Sequence, residues 1–133
     1  MKKKTKIVLL VIAIFIIGTG VGVYTVYSTL QQNLNSLAQL PIEDVDLSEV
    51  DDGTYVGSYE MLPVSAEVAV TVMDHKITAI DLVKHNTGKG AGAEVLPGEV
   101  VKTGSLQVDT VSGATYSSKV ILMAIENALK NQS

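Results

Sequence analysis

Ala66-Glu67-Val68-Ala69-Val70-Thr71-Val72-Met73 alternates without a break. Ala66, Val68, Val70 and Val72 fall on one face of an extended chain, and Glu67, Ala69, Thr71 and Met73 fall on the other. That period of two is the mark of a half-buried strand. Met73-Asp74-His75-Lys76 reads as a turn, and Ile77 to Val83 reads as the returning strand, so the pair predicts an antiparallel hairpin. Upstream, Thr54-Tyr55-Val56-Gly57-Ser58-Tyr59 is rich in strand formers. Downstream, the period changes. Val120, Ile121, Ala124, Ile125, Ala128 and Leu129 recur at helical spacing, which predicts an amphipathic helix from about Ser117 to Lys130. Ser117 or Ser118 suits its N-cap, and Lys130 suits its last turn. The expected fold class is α+β, a small antiparallel sheet packed against a C-terminal helix.

Between hairpin and helix lie two loops. Thr87-Gly88-Lys89-Gly90-Ala91-Gly92-Ala93 is glycine-rich. Ala93 to Thr103 holds a short helix interrupted by Pro97-Gly98, and Leu106 to Val108 is extended. The second loop, Asp109-Thr110-Val111-Ser112-Gly113-Ala114-Thr115-Tyr116, is built on small polar residues just before the final helix. A helix N-terminus with a close-approach glycine and several hydroxyls suits a phosphate.

The first third of the chain has another character. Lys2, Lys3, Lys4 and Lys6 precede an apolar run from Ile7 to Tyr27 that carries no charge. Such a helix rises about 30 Å, enough to cross the hydrocarbon core. Lysines before it and none after it put the N-terminus in the cytoplasm and the rest outside. Tyr24 and Tyr27 sit where an interfacial belt belongs. A cleaved signal peptide with Gly18, Thr19 and Gly20 before the cut is the competing reading. Both readings export the domain.

Beyond the run, leucines at 30, 34, 37 and 40 in a polar segment suggest a short helical stalk. Ile42 to Asp52 carries six of the fourteen acids and reads as a solvated linker that lets the domain swing. Residues 31–133 hold six lysines against fourteen acids, 6 − 14 = −8. With no arginine, this surface is a poor partner for nucleic acid. The absence of cysteine excludes disulfides, thiolate metal sites and a lipid-bearing cysteine. About 80 residues form a marginal core without disulfides or a ligand.

Asp109-Thr110-Val111-Ser112-Gly113-Ala114-Thr115 resembles the Asp-x-x-Ser/Thr-Gly-Ala-Thr flavinylation motif of the FMN-binding domain family. That family includes the C subunit of the sodium-pumping NADH:quinone oxidoreductase and small anchored flavoproteins of Gram-positive surfaces. Asp52-Gly53-Thr54-Tyr55-Val56-Gly57 is similar to its opening strand. The Val68–Asp81 hairpin and Asn86-Thr87-Gly88 fit its middle, so the likeness covers about residues 51–130. His75 stands where the family commonly has glycine.

The resemblance implies that a flavin transferase moves FMN from FAD onto Thr115, through a phosphoester to the threonine oxygen. It gives Asp109 to the transferase or to loop orientation. Ser112, Gly113 and Ala114 would let the phosphate and ribityl chain lie against backbone, and Thr87 and Gly88 would form a second loop near the flavin. It also implies a partner set: the flavin transferase, the membrane, and a membrane redox donor such as a quinone-linked dehydrogenase. The expected division is 1–6 as a cytoplasmic basic flank, 7–27 as transmembrane anchor or signal peptide, 28–51 as stalk and acidic linker, and 52–133 as FMN-binding domain. The expected role is an extracytoplasmic electron relay at the cell membrane rather than a substrate-converting enzyme. No catalytic residue and no metal ligand is assigned. The alternative is a surface sensor or protein-interaction module without catalysis.

Other motifs carry less. Gly88, Gly90 and Gly92 lack the strand–helix setting of a dinucleotide fingerprint. His75 and His85 are too far apart in sequence to suggest a metal pair; His85, at a strand end, is expected in solvent, with an approach to the flavin as the alternative reading. Ser112 and Ser117 lack a Gly-x-Ser-x-Gly setting for hydrolase chemistry. The acids of 42–52 lack the spacing of a calcium loop.

Overall fold

The computed structural model describes residues 2–86, 91–111 and 114–130. The chain divides into two compact units, residues 1–32 and 33–133. Helix α1 (Lys3–Gln39) supplies the whole described part of the first. It is long and apolar enough to cross a membrane, and its apolar side chains from Ile7 to Tyr27 are exposed. Its threonine hydroxyls are satisfied within the helix. Thr19 Oγ1 donates to the carbonyls of Phe15 and Ile16 at 3.0 and 2.9 Å, and Thr25 and Thr29 donate to Gly22 O and Thr25 O. Such back-bonding satisfies the hydroxyls of Thr19, Thr25 and Thr29 without water, as a lipid setting would require.

The second unit is α+β. Strands β1 (Gly53–Met61), β2 (Val64–Met73) and β3 (Lys76–Asn86) form one antiparallel sheet in the order β1-β2-β3. The alternation read from sequence is realised along β2, where Val64, Ala66, Val68, Val70 and Val72 are buried and the residues between them are half-buried. Each buried valine contributes about 1.5–3 kcal/mol relative to exposure. Helix α3 (Thr115–Lys130) covers this face through Val120, Ile121, Ala124, Ile125, Ala128 and Leu129. Helix α2 (Leu96–Thr103) packs beside β3 and ends on the left-handed Gly104, whose N–H donates to Val100 O. Pro97 and Gly98 do not interrupt this helix as expected. They lie in its first turn, where proline has no hydrogen bond to lose.

Closeness of β1 to α3 depends on Gly57. A Cβ there would lie 2.7 Å from Ala128 Cα and nearer still to Ala124 O and Ala128 N. Small residues on the helix and none on the strand let the two backbones meet. Asn127 Nδ2 adds a bond to Ser58 O at 2.9 Å.

The pairing of β2 with β3 shifts twice, between Glu67/Val68 and between Thr71/Val72. Thr78 and Val83 are the extra residues, one bulge each. Ile80 and Leu82 therefore face the helices together with Ile77, and past the second bulge His85 pairs with Ala66 on that same inner side.

The acidic stretch is not a free linker. Val50 is buried, and Ile42, Val45 and Leu47 pack against the core beside Leu37 and Leu40 of the preceding segment. Its acids stay exposed but are tied down. Asp44 accepts from Ser105 Oγ at 2.6 Å and from Leu106 N–H at 3.2 Å. His75, expected as a plain turn residue, donates Nδ1–H toward Leu47 O and Val50 O at 3.0 and 3.2 Å. Asp74 and His75 both adopt left-handed backbone, with φ of 52° and 60°. That is the turn geometry glycine would satisfy more cheaply. The imidazole's bonds to the 47–50 segment give a reason for histidine instead.

Lys130 closes the unit. Its Nζ lies 2.6 Å from both Glu126 Oε1 and Glu43 Oε2, and Glu126 also accepts from Glu43 N–H. The bonds to Glu126 and Glu43 hold Lys130 above the ordinary lysine range, and the bond to Lys130 holds Glu43 below the ordinary carboxylate range.

Two outcomes are expected. Gly57→Ala should destabilise the unit by about 2 kcal/mol or more in denaturant unfolding, because the obstacle is helix backbone. A depressed folded pKa for Glu43 stabilises above the unfolded carboxylate range and is lost as pH falls through the folded value. A raised Lys130 pKa stabilises below the unfolded lysine range and is lost as pH rises through the folded value. Glu43→Gln should therefore lower stability at neutral pH and leave it unchanged at acid pH, where unfolding of the two forms should coincide.

Candidate functional site

The loop from Leu106 to Ala114 runs from α2 into the N-terminus of α3. Helix α3 begins at Thr115, two residues before the expected start. Ser118 N–H donates to Ala114 O at 2.9 Å, which makes Ala114 the N-cap. Neither Ser117 nor Ser118 caps the helix; both are buried inside its first turn. Ser118 instead fastens the loop from within. Its Oγ accepts Val111 N–H at 3.0 Å and donates to Ala114 O at 2.7 Å. Ala114 N–H in turn donates to Val111 O at 2.9 Å. The two sides of the loop are thus pinned to each other and to the helix.

Among the described residues, no acidic side chain lies in the first turn of this helix. Alanine offers no side-chain oxygen to its first N–H groups. The four leading N–H groups of any helix lack intrahelical partners, and the dipole places partial positive charge there. Thr115 is exposed at this point, and Ala114 is buried beside it. Asp109 is exposed and shares a depression of about 330 Å³ with Glu99, Thr103, Gln107 and Val108. Ser112, Gly113, Thr87 and Gly88 lie outside the described residues.

The 3-10 helix Ala91–Val95 approaches the same loop. A Cβ on Gly92 would sit 3.7 Å from Val111 Cγ1, and Ala93 is fully buried. Its Glu94 reaches back to β3, where Glu94 Oε1 lies 3.3 Å from His85 Nδ1. His85 is not in solvent as expected; its side chain is 3% exposed, and Nε2 is buried without a hydrogen-bond partner. Sequence reasoning missed this because it could not see the bulge at Val83. Among the described residues, no group of three or more His, Asp or Glu side chains could hold a metal.

Residues 63–130 match the FMN-binding domain family. That span is 68 of 133 residues (130 − 62 = 68), and the chain belongs to this family. The match begins after β1, although β1 is an integral strand of the same sheet. A comparison with curated proteins finds no match. FMN is thus the ligand the fold is built for, and the residues present fit it. A helix N-terminus with no acid in its first turn suits its phosphate, and among the described residues a buried imidazole nitrogen without a partner calls for a hydrogen-bonding ligand.

Ser118→Ala removes both the acceptor for Val111 N–H and the donor to Ala114 O. It should cost about 1–3 kcal/mol in thermal unfolding, the range for leaving buried polar groups unpaired. Ser118→Thr, which keeps the hydroxyl, should recover part of that loss.

Proposed function

We propose that this protein is a membrane-anchored, extracytoplasmic flavoprotein that carries FMN covalently on Thr115 and relays electrons. The observation that carries the reading is the position of Thr115. It is the exposed first residue of α3, next to a buried Ala114, in a member of the FMN-binding domain family. A phosphoester on this hydroxyl retains negative charge at the end of α3, where the dipole favours it by about 0.3–1 kcal/mol. Small residues at 113 and 114 keep side chains out of the ligand's way. Asp109, exposed at the rim of the loop, is available to a flavin transferase. Ser112, Thr87 and Gly88 complete the proposed site.

When bound, FMN supplies reversible one- and two-electron chemistry. The chain's own residues position it. Ser118 fixes the loop, and the α3–β1 contact fixes the helix that presents Thr115. A tether outside the membrane keeps the cofactor where no cytoplasmic pool replaces it. The anchor is residues 7–27, supported by the exposed apolar face of α1, its internally bonded threonines and the exposed Tyr24 and Tyr27. Residues 1–6 are the cytoplasmic flank, 28–51 join anchor to domain, and 52–133 form the flavin domain. The electron donor is a membrane redox enzyme of the quinone-linked dehydrogenase class.

The test is co-production of the full chain with a flavin transferase. The wild type should show flavin fluorescence on a denaturing gel and an intact-mass gain of FMN minus water, and Thr115→Val should show neither. A wild-type band without fluorescence or added mass overturns the reading and favours a surface interaction module. Membrane fractions should hold the protein through alkaline extraction, with Met1 or Lys2 still at its N-terminus.

A further inference from the structure

His85 is the buried polar group that the fold leaves unexplained. Its side chain is 3% exposed, so water does not satisfy it. Glu94 oxygen only accepts when ionised, so Nδ1 carries the proton, and in the tautomer this fixes Nε2 is an acceptor. Among the described residues, that acceptor is buried without a partner. Leaving such an atom unpaired is costly, and a native site seldom tolerates it without a ligand to fill it.

The location is informative. The bulge at Val83 turns His85 to the inner side of β3, opposite Ala66. Glu94, which orients the ring, belongs to the 3-10 helix that touches Val111, four residues before Thr115. The imidazole and the attachment loop are thus joined through one short element.

We propose that His85 is a cofactor-contacting residue, its Nε2 accepting a hydrogen bond from a donor on the flavin nucleotide, with Glu94 as the positioning residue that fixes the tautomer. The inference rests on the FMN reading. FMN offers two kinds of donor, the imide N–H of the ring and the ribityl hydroxyls, and Nε2 suits either.

The experiment uses the full chain in detergent, made with and without a flavin transferase. Intact mass first confirms the FMN adduct in wild type, His85→Leu, His85→Gln and Glu94→Gln. In the flavin-free protein, His85→Leu should lower the unfolding midpoint no more than Glu94→Gln does, since the Glu94 bond is the one hydrogen bond the ring has to lose among the described residues. In the flavin-loaded protein it should remove at least half of the thermal stabilisation that FMN gives the wild type. His85→Gln, which keeps an acceptor, should recover part of it, and Glu94→Gln should shift it in the direction of His85→Leu. A displaced visible absorption band and midpoint potential in His85→Leu assign the ring N–H as donor. An unchanged band with lost stabilisation assigns a ribityl hydroxyl.

Equal losses with and without flavin, or an adduct whose stability, spectrum and potential ignore His85, overturn the inference and leave Thr115 attachment standing. If Leu prevents folding, the comparison of His85→Gln with wild type decides on the same readouts. A wild type that binds no FMN overturns the Thr115 reading first, and this inference with it.

Discussion

Everything in the folded unit is referred to one close approach, that of α3 onto β1 at Gly57. The helix offers Ala124 and Ala128, the strand offers no side chain, and the backbones come together as far as atoms allow. This contact sets the depth at which the helix lies on the valine face of β2. The N-terminal end of the same helix, where Thr115 stands, is fastened separately by Ser118 to Val111 and Ala114. A cofactor attached at the start of a helix is positioned only as well as the helix itself. In the proposed attachment the precision would come from main-chain contact rather than from flexible side chains.

Much of this was legible in the sequence. The unbroken alternation of β2 and the helical spacing of Val120 to Leu129 encode their burial directly, because each period matches one geometry. The family likeness was legible in Asp109 to Thr115 for a different reason, a run of small residues with few other uses. The start of α3 was misplaced by two residues because serine is a good cap in general. Here the cap is Ala114, and the serine works from inside the turn. Pro97-Gly98 was read as a break because proline punctuates helices, whereas its place in the first turn costs nothing.

Three features had no local signal. The bulges of β3 depend on what β2 does opposite them, and they alone turn His85 inward. The burial of His85 was hidden for that reason, as a lone histidine at a strand end looks like a solvated one. The acidic stretch misled by composition. Six acids in eleven residues suggest solvent, yet acids and apolar residues are interleaved, and only the acids need water. Long-range partners such as Ser105 and Lys130 complete the attachment, and no window of sequence contains both sides.

The docking of that acidic stretch bears on where the domain can be cut. Val50, Leu37 and the half-buried Ile42, Val45 and Leu47 belong to the core, and the second compact unit starts at residue 33. An excised soluble fragment that begins at Asp52 would open apolar surface along the helix side of the sheet and strip Lys119 and Lys130 of partners at Leu40 and Glu43. A fragment beginning near Asn33 keeps that surface sealed. Proteolytic shedding between residues 33 and 50 would therefore release a weakened domain, whereas a cut nearer the apolar helix would free an intact one.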